Sequence, residues 1–133
     1  MTKPVAVVIG ATSKWQSDGR NTRMVHGGNI PDDELPLSIR WGVGGAIALK
    51  FAREGFHVVL TTRSKPNASA LEAAIYSEGL DCMTVELDLE SDDSISTAFE
   101  TVRSELGDPE VVVLNAGYLE GRDLPPEMEL LEN

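Results

Sequence analysis

A chain of 133 residues with 41% hydrophobic side chains has the length of one ordinary domain and enough apolar material for a core, which argues against disorder and against two domains. No apolar run approaches the roughly 18 residues of a membrane span, and Met1-Thr2-Lys3-Pro4 leads into a strand-like run instead of a signal peptide. A cytoplasmic protein with no membrane partner is expected, and the net charge of −11 excludes nucleic acid as the expected partner, since phosphate neutralisation supplies most of that affinity.

Taken in chain order, residues 4 to 9 read Pro-Val-Ala-Val-Val-Ile, a β-branched run without polar alternation, the pattern of a strand buried on both faces. Residues 13 to 41 are polar, contain Gly19, Gly27-Gly28, Pro31 and Pro36, show no clear period, and are expected to form a long loop. A helix follows from about Gly42 to Glu54, with Ile47, Ala48 and Phe51 on one face and Gly55 just past its end. The second strand spans Phe56 to Thr61, and the second helix Ala68 to Glu78 with Gly79 after it. The third strand is Cys82 to Leu87. Ser91 then has the position of an N-cap, with Asp92 and Asp93 at the positive end of the helix dipole and Ile95, Phe99, Val102 and Leu106 as the apolar stripe. Gly107-Asp108-Pro109 stops that helix, and Val111 to Leu114 forms a fourth apolar run. After Gly117, Pro125-Pro126 opens what reads as a further helix.

Alternating strands and helices with short connections imply an α/β fold of the Rossmann-like kind, a three-layer α/β/α sandwich on a parallel sheet whose four strands have the order 3-2-1-4. Residues 1–133 then make one partial dinucleotide-binding domain with 13–41 as an inserted loop. The single Cys82 excludes an intrachain disulfide and a multi-cysteine zinc site, and two histidines, His26 and His57, argue against a histidine metal site. His57 reads as a half-buried structural residue, Cys82 as an inert core residue and Tyr76 as packing. The acids Glu86, Asp88, Glu90, Asp92 and Asp93 read as a dipole-favoured helix start, not a metal cluster. Trp15 and Trp41, at the two mouths of the insertion, either stack on each other or line an entrance.

Gly10-Ala11-Thr12-Ser13 ends the first strand, and Trp41-Gly42-Val43-Gly44-Gly45 opens the first helix. With the insertion excised, the two make a tight turn and a helix start without Cβ atoms, where a pyrophosphate can sit on free amides. Asp88-Leu89 follows the third strand and Leu114-Asn115-Ala116-Gly117 ends the fourth. On these three motifs, in this order, the chain resembles the short-chain dehydrogenase/reductase family. Ile9 stands where the family has Thr, a 31-residue interval separates Gly10 from Gly42 where the family has three residues, and Leu114 replaces the first Asn of Asn-Asn-Ala-Gly.

The resemblance implies a nicotinamide cofactor across the C-terminal ends of the strands and a small-molecule substrate, with a homo-oligomer left open. It implies Gly10, Thr12, Ser13, Gly42, Val43 and Gly44 at the pyrophosphate turn, Asp88 and Leu89 at the adenine, and Asn115, Ala116 and Gly117 beside the ribose and nicotinamide. Charge speaks to the choice of cofactor. An acid at the end of the second strand would accept from the ribose 2′-hydroxyl of NAD. Here the strand ends Leu60-Thr61-Thr62-Arg63-Ser64-Lys65, which favours NADP(H) over NAD(H), with Thr62, Arg63 and Ser64 around the phosphate. Up to Lys65 the chain holds nine Lys and Arg against five acids, a balance of +4, and from Pro66 onward two against seventeen, or −15. Lys14, Arg20, Arg23 and Arg40 could add phosphate contacts, though most read as solvated.

No catalytic residue is assigned. The family's Tyr-x-x-x-Lys pair has no counterpart: Tyr118-Leu-Glu-Gly-Arg122 keeps the spacing with Arg for Lys, and Tyr118 reads as a pocket wall. The expectation is the cofactor-binding half of an NADP-dependent oxidoreductase acting on a carbonyl, alcohol or enoyl substrate, cut before the family's second half. Leu37-Ser38-Ile39-Arg40-Trp41-Gly42 resembles the enlarged loop of some enoyl reductases, whereas the first helix has the length of the main subgroup. A non-catalytic dinucleotide-binding or regulatory module and a fragment unable to fold alone are the alternatives.

Overall fold

In a computed structural model, residues 3–12, 14–15, 21–25, 28–31 and 41–115 are described. Five consecutive apolar residues form β1 (Val5–Ile9), and all five are buried. A β-branched run packed from both sides is central, and β1 indeed has a parallel partner on each side. It pairs with β5 (His57–Thr62) in the register Val5↔His57 to Ile9↔Thr61. On its other side it pairs with β7 (Val111–Leu114), from Ala6↔Val111 to Ile9↔Leu114. Beyond β5 lies β6 (Cys82–Glu86), and the sheet order is β6-β5-β1-β7, which is the expected 3-2-1-4.

The helices α1 (Gly42–Arg53), α2 (Ser69–Ser77, after a 3-10 turn over Lys65–Ala68) and α3 (Asp92–Glu105) fill the connections. Strand alternation divides the core in two. Val8, Val58, Leu60 and Cys82 face Ala48 and Ala52 of α1 and Leu71 and Ile75 of α2. Val5, Val7, Ile9, Val59 and Val85 face Ala98 and Val102 of α3, with Ile95, Phe99 and Leu106 packed around them. Helices on both faces of a parallel sheet make the Rossmann-like three-layer arrangement. α1 and α2 end at Gly55 and Gly79, the glycines that the sequence marks.

Ser91 caps α3 as its position predicts, its hydroxyl accepting from the Ser94 amide at 3.1 Å, with Asp92 and Asp93 in the first turn. Ser91→Ala is expected to cost about 1 kcal/mol of stability, read as a lowered denaturant midpoint. An unchanged midpoint would remove the cap from the account of α3.

Two expectations are corrected. The 13–41 segment is not an irregular loop throughout: β2 (Lys14–Trp15), β3 (Asn21–Val25) and β4 (Gly28–Pro31) form an antiparallel sheet of their own, paired Lys14↔Thr22 and Val25↔Gly28 to Thr22↔Pro31. Apolar periodicity reports burial in a core, whereas an antiparallel ladder needs only adjacent backbone, and two residues, 26 and 27, separate β3 from β4. The fourth strand, β7, lies at the edge that the order 3-2-1-4 gives it, and Val112 and Leu114 are 49% and 68% exposed. Secondly, Tyr76 is an exposed residue of α2, not core packing, and its hydroxyl donates to the Cys82 carbonyl at 3.0 Å, tying α2 to β6.

His57 and Cys82 are placed as expected. Burial pushes the half-buried His57 imidazole below its ordinary range, against the nearby Asp81 carboxylate, and its Nε2 has no hydrogen-bond partner. Burial pushes the Cys82 thiol up to about 11, which leaves it protonated and unreactive near neutral pH. Among the described residues no group of three His, Cys, Asp or Glu could hold a metal ion, and no helix is long and apolar enough to cross a membrane.

Candidate functional site

Parallel strands deliver their C-terminal ends to one edge of the sheet, and the motif residues stand there on four neighbouring strands. Gly10, Thr12, Thr62, Arg63, Ser64, Asp88, Leu89 and Asn115 follow β1, β5, β6 and β7 or end them, while Gly42, Val43 and Gly44 open α1. Ser13, Ala116, Gly117 and Tyr118, and the side chains of Lys14, Trp15, Arg20, Arg23 and Arg40, lie outside what is described.

The centre of the arrangement is a contact among three chain segments. A Cβ on Gly44 would fall onto the Gly10 carbonyl oxygen and within 2.8 Å of Asn115 Nδ2. Asn115 Nδ2 donates to that same carbonyl at 3.1 Å, and the Asn115 amide donates to Ile9 O at 2.9 Å. The helix start is therefore pressed against the end of β1, with the amide side chain of Asn115 completing the packing. Trp41 makes no side-chain cap to α1 and no acid lies in the first turn, so among the described residues nothing offsets the positive end of its dipole there. Val43 is 67% exposed beside it. A cradle from which Cβ atoms are excluded, at an uncapped helix start, fits an anionic group such as a pyrophosphate.

Gly45 is a second tight point, since a Cβ there would strike Trp41 Cβ and stand 3.4 Å from Ala11 O. Trp41 packs onto the core cluster under α1, so it supports the turn from below. The alternative of a stack on Trp15 falls outside the described side chains.

At the end of β5 the hydroxyls make a small network. Thr12 Oγ1 lies 3.4 Å from Thr62 Oγ1, which donates to Ser64 O at 3.2 Å and accepts from Ser64 N at 3.4 Å. Arg63 and Lys65 project into solvent beyond it, and no acid stands at this strand end. Asp88 has a structural occupation: its carboxylate accepts from Glu90 N at 3.0 Å, its carbonyl from Ser91 N at 3.0 Å, and its amide donates to Ser94 Oγ at 2.9 Å. These bonds fix the turn into α3 and leave Leu89 43% exposed as an apolar surface at the same edge.

One residue of this region carries no sequence signal. Thr61 is 2% exposed, and its hydroxyl lies 3.2 Å from the Gly10 amide and 2.9 Å from the Val8 carbonyl. A hydroxyl in the next-to-last position of an otherwise apolar buried strand is the one feature that could have marked it.

Comparison with known proteins identifies the family. A family model described as enoyl-(acyl carrier protein) reductase matches residues 39–129. The 3-oxoacyl-(acyl-carrier-protein) reductase FabG of Pseudomonas aeruginosa is 36% identical over 76 residues, covering 57% of this chain and 31% of that protein. Glucose 1-dehydrogenase 2 of Bacillus subtilis is 31% identical over 90 residues, 67% of this chain and 35% of that protein. Among solved structures, a metagenomic short-chain oxidoreductase in complex with NADP superposes with a TM-score of 0.63 at 29% identity, over 89% of this chain and 41% of that one. A hydroxysteroid dehydrogenase from Escherichia coli, at 22% identity and a TM-score of 0.62, shares the fold. The chain spans about a third of the length of the curated relatives it matches. With the model matching more than half of the sequence and the three motifs at the ends of the right strands, the chain belongs to the short-chain dehydrogenase/reductase family.

Proposed function

We propose that this chain is the cofactor-binding half of an NADP(H)-dependent oxidoreductase of the cytoplasm, acting on a small carbonyl, alcohol or enoyl substrate. The observation that carries the reading is the Gly10, Gly44 and Asn115 contact at an uncapped helix start, beside a strand end with two cations and no acid. In this reading Gly10, Thr12, Ser13, Gly42, Val43 and Gly44 hold the pyrophosphate. Thr62, Arg63 and Ser64 hold the 2′-phosphate, Asp88 and Leu89 border the adenine, and Asn115, Ala116 and Gly117 line the ribose and nicotinamide. The cofactor, when bound, supplies the hydride. The residues of this chain bind and orient it: amides and the α1 dipole take the diphosphate, and a guanidinium takes the phosphate that distinguishes NADP from NAD.

No residue of this chain is assigned to proton transfer, since the sequence holds no Tyr-x-x-x-Lys pair. The alternative reading is a dinucleotide-binding module without turnover of its own. A homo-oligomer is compatible with either.

Titration of the 133-residue protein with NADPH and NADH, followed by nicotinamide fluorescence, tests the proposal. NADPH is expected to bind more tightly than NADH, and Arg63→Ala to weaken NADPH by roughly 10- to 100-fold, the worth of a charge-assisted phosphate contact, with NADH little changed. Binding of neither nucleotide to folded protein overturns the reading. Tighter NADH binding overturns the cofactor preference alone. Steady NADPH consumption with a carbonyl or enoyl panel would reject the module without turnover.

A further inference from the structure

The ladder between β1 and β5 shows a local irregularity at the glycine turn. With Ile9 opposite Thr61, a regular parallel ladder would carry the next bond from the Gly10 amide to the Thr61 carbonyl. That carbonyl instead accepts from the Ala11 amide at 3.2 Å. The displacement follows from Gly10, whose φ of 88° turns the chain out of the strand one residue early. The half-buried Gly10 amide is thereby deprived of its ladder partner beside the buried Ile9, Thr61 and Thr62.

The Thr61 side chain fills that gap. Its Oγ1 accepts from the Gly10 amide at 3.2 Å and donates to the Val8 carbonyl at 2.9 Å, so one hydroxyl bridges the last strand turn and the glycine turn. The other end of the Gly10 residue is held as well, because its carbonyl accepts from Asn115 Nδ2. We infer that Thr61 is a positioning residue for the nucleotide cradle: its buried hydroxyl replaces the missing ladder bond, holds the amide side of Gly10, and so sets where the Gly10 carbonyl meets Gly44. Valine has the same shape and neither hydrogen-bonding function, and it would leave a buried donor without an acceptor. Serine keeps the hydroxyl and loses only the methyl group. The effect on binding rests on the cofactor reading above, while the hold on Gly10 does not.

Two measurements on the 133-residue protein test the inference. NADPH affinity of Thr61→Val is expected to fall roughly tenfold, as for one lost buried hydrogen bond, with Thr61→Ser within about twofold of the parent, the methyl group alone being lost. Independently, amide exchange of 15N-labelled protein without nucleotide is expected to show the Gly10 amide protected in the parent and in Thr61→Ser, and exchanging roughly tenfold faster or more in Thr61→Val. Ile75→Val, in the core away from the turn, controls for lost stability and is expected to bind NADPH as the parent does. If Thr61→Val fails to fold, Thr61→Cys takes its place with the same expectations, its thiol being a weak donor and acceptor. Equal Gly10 exchange and equal NADPH affinity in the parent and Thr61→Val overturn the inference. So does loss of both in Thr61→Ser, or equal weakening by Ile75→Val. A parent that binds neither nucleotide sinks the cofactor reading alone, and the exchange comparison still decides whether Thr61 holds Gly10.

Discussion

Gly44→Ala is expected to abolish measurable NADPH binding and to lower stability. The added Cβ would coincide with the Gly10 carbonyl oxygen and lie 2.8 Å from Asn115 Nδ2. The first obstacle is backbone, which has no rotamer to change, so either α1 or the glycine turn must move. Overpacking of this kind costs about 1–3 kcal/mol. The functional loss is larger in proportion. A shift of the helix start displaces its free amides together, and diphosphate recognition requires several of them to converge, so a weakening of roughly 100-fold or more is expected. Gly55→Ala is the control. It meets open space and carries only the strain of a φ of 97°, so it is expected to reduce stability with NADPH affinity retained. Parent-like NADPH binding by Gly44→Ala would remove the close approach from the account of the site.

The sequence is legible where burial writes a pattern into it. Val5–Ile9 and His57–Thr62 lie at the centre of the sheet, and the apolar run of the first and the Val58–Leu60 stretch of the second report that directly. Ser91 and Gly107 are local punctuation and mark the ends of α3 where the structure has them. The glycine turn is legible for a related reason, since contact between backbones forbids side chains at Gly44. What stays hidden depends on partners distant in sequence or on no core at all. Asn115 reaches the Gly10 carbonyl across 105 residues. Thr61 reads as one more β-branched strand residue until the slipped ladder beside it is seen. The strands of the insertion escape notice because Asn29 and Pro31 interrupt any alternation in β4, and an antiparallel ladder does not require one. For β7 the apolar run alone does not mark an edge, but the order of strands read from the alternation of elements does.

The charge division along the sequence also gains a structural sense. Among the described residues two bridges cross it, Arg53 with Glu78 at 2.8 Å and Lys3 with Asp81 at 2.9 Å. Both join helix or strand ends remote from Arg63 and Lys65, so the cations at the end of β5 are not spent on these acids. Exposed bridges of this kind contribute little to stability. The fold therefore rests on its apolar core, and in the proposed reading the cations at the end of β5 serve the ligand instead.

That division of labour makes the stability prediction specific. Leu60→Ala is expected to destabilise the chain by about 2–5 kcal/mol, among the largest effects of any single truncation. Leu60 is fully buried in β5, one of the two central strands, and shares its cluster with Val8, Ala48, Ala52, Val58, Leu71 and Ile75. These neighbours come from β1, α1, β5 and α2, so the space left by the lost isopropyl group is walled by four elements that cannot all collapse into it. Against a typical total of about 5–15 kcal/mol, such a loss brings a domain of this size near its threshold. Leu114→Ala removes the same atoms from an edge strand, where the side chain is 68% exposed, and is expected to change stability by less than about 0.5 kcal/mol. Denaturant titration of the two variants at constant m-value reads the difference directly. Similar midpoints for both would mean that the α1 and α2 face of the sheet is not the tightly packed core that Leu60 requires.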